Sequence, residues 1–314
     1  MNTTSGNNRT NLSVIIVTWN VRECLKDCID SIYRAATGIA IEIIIVDNNS
    51  DDGTPGYVQS MYPGIQVIKN NSNKGFGKAC NQGFRAAKGE YILFLNPDTI
   101  LLDDCLNQTL AFLKSQQDCA FIGCRMLNPD KSLQPSIRKF LTNTNLVMEH
   151  VTRFFKPASA MRQKYDYLVF PHEKTQVVDW LIGAFLMCPR SIFEALQGFD
   201  EEFFMYHEDT DICYRAAQQG KKVYFFADAS MIHFGNQSGK KRFGDQTILE
   251  YYKAKHTFLK KHYPRRVLWL HRVLMTGLLS IRLLASFVID RDAETYDQQF
   301  LIKGLRIQSG LKIA

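Results

Sequence analysis

The sequence predicts an α/β protein, a mostly parallel sheet flanked by helices and continued by a basic amphipathic helical extension. Three observations predict it. Short, β-branched, nearly all-apolar runs alternate with segments whose apolar residues recur every three to four positions. Polar clusters stand directly behind two of those runs, where an open parallel sheet places its ligands. The charge is also uneven: the chain carries +7, yet Lys240 to Arg282 holds eleven Lys and Arg against two acids, a local +9, so the remainder is −2.

Met1 to Thr10 is polar, Asn/Thr-rich and without the apolar stretch of a secretory signal, and residues 1–11 are expected to form a flexible tail. Residues 12–18, LSVIIVT, read as a strand buried on both faces. Val21, Leu25, Cys28, Ile29, Ile32 and Tyr33 then follow helical spacing. A second buried strand runs from Ile41 to Val46 and ends at the polar cluster Asp47-Asn48-Asn49-Ser50; a short third covers Ile65 to Ile68. Phe76 to Ala87 reads as a helix, Tyr91 to Leu95 as a strand ending in Asn96-Pro97-Asp98, Asp103 to Leu113 as a helix, and Ala120 to Ile122 as a strand. Residues 130–178, punctuated by prolines, read as a variable connection that shapes an acceptor pocket. Asp179 to Met187 is apolar again, Ser191 to Leu196 a short helix, Val223 to Phe226 a last strand leading to His233, and the chain from Asp245 onward helical. Strands alternating with helices imply βαβ units.

Composition narrows the chemistry. With 46% hydrophobic and 22% charged residues, the 314-residue chain is not mainly disordered. Eight scattered cysteines without a CxxC argue against a zinc site and for buried, reduced thiols of a cytosolic protein. Gly75-Phe76-Gly77 opens a helix and lets backbone approach an anion, but Cys80 stands where a GxGxxG fingerprint needs glycine, and no GK[ST] is present.

Individual residues leave two readings open. Asp47 either caps the loop behind its strand or accepts a hydrogen bond from a nucleotide base. Asp98, stiffened by Pro97, either caps the following helix or holds a hard cation that bridges a diphosphate. Glu208, Asp209 and Asp211 form either a solvated acidic turn or, beside Phe204, Tyr206 and Ile212, a partly buried site in which a carboxylate serves as general base. His233 is a structural histidine unless Asp98 joins it as a metal ligand.

In order along residues 12–263, the strings VIIVTWN, VDNNSDDGT, NKGFGKACNQG, LNPDT, GAFLM, GFDEEFFMYHEDTDICYR and IHFGNQS resemble glycosyltransferase family 2, nearest its bacterial rhamnosyltransferase-like branch. The resemblance implies a Rossmann-like GT-A catalytic domain over residues 12–239. It implies an inverting transfer from a nucleotide-diphosphate sugar, with dTDP-rhamnose favoured, to a hydroxyl of a glycan or lipid-linked acceptor in surface polysaccharide synthesis. Asp47 matches the base-binding Asp. Asp98 matches the last Asp of the metal-binding DxD, which reads Asn96-Pro97-Asp98 here and lacks its first carboxylate. Asp209 matches the catalytic base, with Glu208 holding the local geometry or touching the acceptor. His233 matches a histidine that completes the metal site, for Mg²⁺ or Mn²⁺. Thr18, Asn20, Asn49 and Asn96 are expected on the donor side with Gly75, Phe76 and Asn81; Trp180, Gly183 and Ala184 on the acceptor side. Two alternatives remain: a catalytically silent sugar-nucleotide binder, and a nucleotidyltransferase, which should carry a Gly-rich, basic loop where this chain has Thr18-Trp19-Asn20.

Residues 240–314 are expected to be a basic helical region. Its longest uncharged run there, Val273 to Ile281, is nine residues, too short to span a bilayer. A helix lying in the interface of an anionic membrane is the favoured reading, against a helical appendage packed on the enzyme or on a partner in a homodimer. No nucleic-acid motif accompanies the charge, so no nucleic-acid partner is expected. The expected location is the cytoplasmic face of the cell membrane.

Overall fold

The computed structural model describes residues 10–142, 171–235, 245–288 and 298–309. The chain divides into two compact units. The first takes the described residues of Met1–Arg138, Phe170–Phe204 and Glu208–Ser238; the second those of Lys139–Val169, Met205–His207 and Gly239–Ala314.

In the first unit β1 (Leu12–Thr18), β2 (Ile41–Asp47), β3 (Gln66–Lys69) and β4 (Tyr91–Leu95) form a parallel half-sheet in the order β3-β2-β1-β4. Edge strand β3 exposes Gln66 and Lys69, whereas the runs of β1, β2 and β4 are largely apolar because helices cover the sheet: α1 (Arg22–Ala35) buries Leu25, Cys28, Ile29 and Ile32, and α3 (Phe76–Ala86) buries Ala79 and Cys80. Each fully buried Leu or Ile among them contributes about 1.5–3 kcal/mol. Between β2 and β3 lies α2 (Thr54–Met61), started by Pro55 behind a left-handed Gly53. The Cys28 thiol is buried and pushed up to about 12 by desolvation, and all eight cysteines are free, as expected of inert thiols.

The other half of the sheet departs from the expected parallel pattern. β10 (Phe185–Pro189) enters antiparallel between β4 and β6 (Cys119–Leu127). β11 (Lys222–His233) runs parallel to β6 but antiparallel to β5 (Thr99–Leu101) and β8 (Gln176–Val178). The single apolar stretch 179–187 breaks at Gly183 into β9 (Trp180–Leu181), which pairs with β7 (Ile137–Arg138), and β10. Helices α4 (Cys105–Ser115), α5 (Arg190–Ala195) and α6 (Glu208–Gln218) complete the unit.

Register fixes which ends share an edge. Thr18 lies opposite Asp47, Ile16 opposite Leu95, Leu95 opposite Phe185, and His233 opposite Thr99. The carboxyl ends of β2, β4 and β11 and the start of β10 therefore meet along one edge.

The second unit contains three described helices: α7 (Asp245–His262), α8 (Arg265–Val288) and α9 (Gln298–Ser309). Leu249, Tyr252, Met275, Leu278, Leu279, Leu301 and Ile307 form its core. The α8 face bearing Trp269, Val273, Ile281 and Leu284 is exposed, at 65%, 47%, 50% and 66%. No described helix is long and apolar enough to cross a membrane. The tail reading for residues 1–9, most of the connection at 143–170, and the basic triplet at 240–242 fall outside the described residues.

Candidate functional site

At the β2 end, Asp47 is only 2% exposed. Its Oδ1 accepts from Thr18 Oγ1 (3.0 Å) and Ser50 Oγ (2.5 Å), and its Oδ2 from Ser50 N (2.9 Å). Asn20 N donates to Ser50 Oγ (2.9 Å), while Asn20 Oδ1 accepts from Asp51 N (2.8 Å). Asp47 thus staples the loops behind β1 and β2, with Asn49 exposed in a left-handed conformation at the loop's tip (φ 67°). The loop-capping alternative for Asp47 is what the contacts display, and a carboxylate keeps acceptor capacity beyond these three bonds.

Asn48, which the sequence reading passed over, is buried and latches the glycine loop: its Nδ2 donates to Gly75 O (3.0 Å). Gly75 itself is left-handed (φ +86°), and a Cβ there would lie 2.3 Å from Phe204 O, the acceptor of Phe76 N (2.9 Å). The loop therefore requires glycine at this point. Asn81, expected to face a donor, instead has its amide committed to Phe199: Nδ2 donates to Phe199 O (2.8 Å) and Oδ1 accepts from Phe199 N (2.9 Å). That pairing clamps α3 to the Gly198-Phe199 turn.

The acidic trio divides into three environments. Asp211 is fully buried and pairs with Arg215 Nε (2.8 Å), whose guanidinium also donates to Gly198 O (2.9 Å). Asp209 Oδ2 accepts from Gly183 N (2.9 Å), and its Oδ1 from Thr210 N (2.7 Å) and Thr210 Oγ1 (3.3 Å). Glu208 is 6% exposed and its Oε2 has no hydrogen-bond partner among the described residues. Burial raises the Glu208 carboxyl well above its usual range, and the neighbouring Asp209 charge raises it further. Burial raises Asp209 as well, opposed by the N–H groups of Gly183 and Thr210. The buried alternative for the trio therefore holds, against the solvated turn.

Gly183 joins this trio to the β4 end. While Gly183 N holds Asp209, the carbonyl of Ala184 accepts from Asn96 N (3.0 Å). A Cβ on Gly183 would touch Asp209 Cβ (3.4 Å) and Phe76 Cε1 (3.7 Å), so the glycine loop, Gly183 and Asp209 are neighbours. Two residues past Asn96, Asp98 Oδ1 stands 3.4 Å from His233 Nε2. Phe234 N donates to Asp98 O (3.0 Å), which ties the β11 end to the same turn. Asp47 lies two strands from β4, about 10 Å across the sheet at the usual strand spacing. Ala184 has a buried side chain and acts here through its backbone, and Trp180 lies half-buried in β9 opposite Arg138.

Asp98 and His233 offer one oxygen and one nitrogen ligand, a set suited to Mn²⁺ or Mg²⁺. Among the described residues no third His, Cys, Asp or Glu joins them. Two protein ligands fit a cation whose other positions are filled by phosphate oxygens and water.

The family described as Glycosyl transferase family 2 matches residues 13–196. An N-acetylglucosaminyl-diphospho-decaprenol L-rhamnosyltransferase of Mycobacterium tuberculosis is 28% identical over 235 residues, 71% of this chain and 75% of that protein. Rhamnosyltransferase WbbL of Escherichia coli is 28% identical over 208 residues, 64% and 75% of the two chains. Among solved structures, the mannosyltransferase PcManGT from Pyrobaculum calidifontis, in complex with GDP-Man and Mn²⁺, superposes with a TM-score of 0.55 at 16% identity, covering 94% of this chain and 86% of that one.

Proposed function

The chain belongs to glycosyl transferase family 2, and from that premise we propose that it moves rhamnose, with inversion, from dTDP-rhamnose to a hydroxyl of a lipid-linked or glycan acceptor in surface polysaccharide synthesis. The observation that carries the reading is the bridge Asp209–Gly183–Ala184–Asn96, which links a half-buried carboxylate to the turn that bears Asp98 and its neighbour His233. The rhamnosyltransferase relatives support the sugar and the lipid-linked acceptor.

Inversion is a single in-line displacement. Asp209 takes the proton of the acceptor hydroxyl, that oxygen forms the new bond at the anomeric carbon, and the bond to the diphosphate breaks with its electron pair leaving on dTDP. Asp209 is the base, not Glu208, because backbone N–H groups face its oxygens and favour its charged form. Glu208, whose Oε2 has no partner among the described residues and whose carboxyl burial raises well above its usual range, keeps its proton in this reading and spares the pair a second charge. Asp98 and His233 would hold the Mg²⁺ or Mn²⁺, which supplies positive charge to the leaving diphosphate. The glycine loop locked by Asn48 and the loops stapled by Asp47, with Thr18, Asn20 and Asn49, form the donor side. Trp180 and Gly183 face the acceptor.

Incubation with a panel of sugar nucleotides and Mn²⁺ tests this. Release of dTDP from dTDP-rhamnose, increased by a lipid-linked acceptor, is expected. Release of no nucleotide diphosphate from any donor would leave the catalytically silent binder as the answer.

The helical unit we assign to the membrane surface, as a peripheral attachment on the inner face. Trp269, Val273, Ile281 and Leu284 form an exposed apolar stripe on α8, and the exposed Lys260, Lys261, Arg265 and Arg266 cluster where α7 passes into α8. Apolar area with adjoining cations suits an anionic lipid interface.

A further inference from the structure

The outer nitrogen of His233 is held by an amide pair that the reaction does not touch. Gln134 Oε1 lies 2.6 Å from His233 Nδ1. Which atom carries the proton follows from the groups around it. Asn128 Nδ2 donates to Ser132 Oγ (2.9 Å) and to the Leu133 carbonyl (3.4 Å). A carbonyl only accepts, so the orientation of Asn128 is set, and its Oδ1 is the atom that faces Gln134 Nε2 (2.9 Å). That same Nε2 donates to the backbone carbonyl of His233 (3.1 Å). With two acceptors on its nitrogen, Gln134 has one orientation, and its oxygen meets Nδ1. The backbone of Gln134 is fixed as well, its N–H donating to Met126 O (2.9 Å) on β6.

An amide oxygen cannot donate, so Nδ1 carries a proton, and in the neutral ring Nε2 presents the lone pair. Nε2 lies 3.4 Å from Asp98 Oδ1, with the two side chains 10% and 7% exposed, and also 3.4 Å from Asn96 Nδ2, an amide nitrogen that can donate to it. In the neutral ring, Nε2 and the Asp98 oxygen both present lone pairs to the space between them. They are arranged for a positive charge between them.

We propose that Gln134, oriented by Asn128, is a positioning residue that locks His233 in the Nδ1–H tautomer and keeps Nε2 available as a cation ligand. The proposal rests on the Asp98–His233 reading of the cation site. Partners of this kind typically carry 10–100-fold in metal affinity.

Two measurements test it. Nitrogen-15 NMR of histidine-labelled, metal-free protein at neutral pH reports the tautomer. Wild type is expected to show His233 protonated on Nδ1. In Gln134→Met the proton moves to Nε2, where Asp98 is the acceptor, and Asn128→Leu gives a mixture while leaving Gln134 in place. A wild-type ring protonated on Nε2, or a tautomer unchanged in both variants, overturns the proposal. The second measurement is Mn²⁺ binding in the presence of dTDP, followed by electron paramagnetic resonance. Gln134→Met is expected to weaken it about 10–100-fold, in the same direction as His233→Ala. Loss in His233→Ala with none in Gln134→Met overturns the positioning role. No loss in His233→Ala overturns instead the cation reading on which it stands.

Discussion

Asp209→Asn removes a charge from the site and almost no volume. In the native site, Oδ2 accepts from Gly183 N and Oδ1 from Thr210 N. Asparagine brings one oxygen to two N–H groups. Turned with that oxygen towards Gly183, its NH₂ meets Thr210 N–H; turned the other way, it meets Gly183 N–H. A buried donor left without an acceptor costs about 1–3 kcal/mol. The neutral amide escapes the desolvation that raises the Asp209 carboxyl, so the two effects oppose and stability shifts by less than about 2 kcal/mol. Catalysis has no such offset, because an amide takes no proton. Loss of a general base lowers the rate about 10²–10⁴-fold, equivalent to about 2.7–5.4 kcal/mol of barrier. Calorimetry should give a dTDP-rhamnose affinity within about threefold of wild type, since the donor contacts stay intact. Single-turnover transfer with enzyme in excess isolates the chemical step. A variant that folds, binds donor and transfers within about tenfold of the wild-type rate would refute the assignment of the base and the hydrogen-bond argument that separates it from Glu208.

Gly75→Ala should lose about 2–3 kcal/mol, combining left-handed strain with loss of the Phe76 N–Phe204 O bond, and an unchanged urea midpoint would contradict the loop geometry. Glu208 carries a raised carboxyl, so its contribution to stability is complete below the ordinary glutamate value of about 4.3 and is lost as pH rises through the raised folded value. The unfolding free energy of wild type relative to Glu208→Gln should therefore fall across that window, with the Gln variant the more stable at pH of about 8; parallel curves would show that Glu208 is not held protonated. Asp98→Ala should abolish the Mn²⁺ dependence of donor binding in calorimetry, and retention of that dependence would remove Asp98 from the cation site. Trp269→Ser should weaken sedimentation with phosphatidylserine vesicles about tenfold or more, given about 1.5–3 kcal/mol for a large apolar side chain; equal binding would take the α8 stripe off the membrane.

Strands β1 and β4 are legible to the residue, because each is an unbroken apolar run closed by polar residues on the sheet edge. Strand β5 and helix α2 are not. Thr99–Leu101 is three residues whose pairing partner, Met231–His233, lies 130 positions along the chain, and Thr54–Met61 begins with Pro-Gly, which reads as a turn. The antiparallel insertion of β10 was equally hidden, since a strand buried on both faces looks the same in either direction. In the site, the acids show in the sequence but the groups facing them do not. Gln134 reaches His233 from a turn 99 residues away, and no local pattern marks it.

That difference decides the chemistry. Glu208 and Asp209 are neighbours, one buried and the other half-buried, both raised by desolvation, and a string of letters gives no ground for choosing between them. The choice is made by Gly183. Its N–H points at Oδ2, and because a Cβ there would meet Asp209 and Phe76 only at ordinary contact distance, the deciding group is the backbone N–H and not the missing side chain. The Gly183 N–H thus favours the charged form of Asp209 against its burial, and the carbonyl of the next residue, Ala184, accepts from Asn96 N. Asn96 occupies the place of a carboxylate in the resembled motif, and its neutrality suits this arrangement: a third acid beside Asp98 and Asp209 would add repulsion to a site that must receive a diphosphate. Asn96 instead contributes a backbone N–H to the bridge and an amide near His233. Asn96→Asp accordingly should not restore function. It should raise the affinity for Mn²⁺ alone and weaken that for dTDP-rhamnose, and tighter binding of both would show that the missing carboxylate was a loss and not an adaptation.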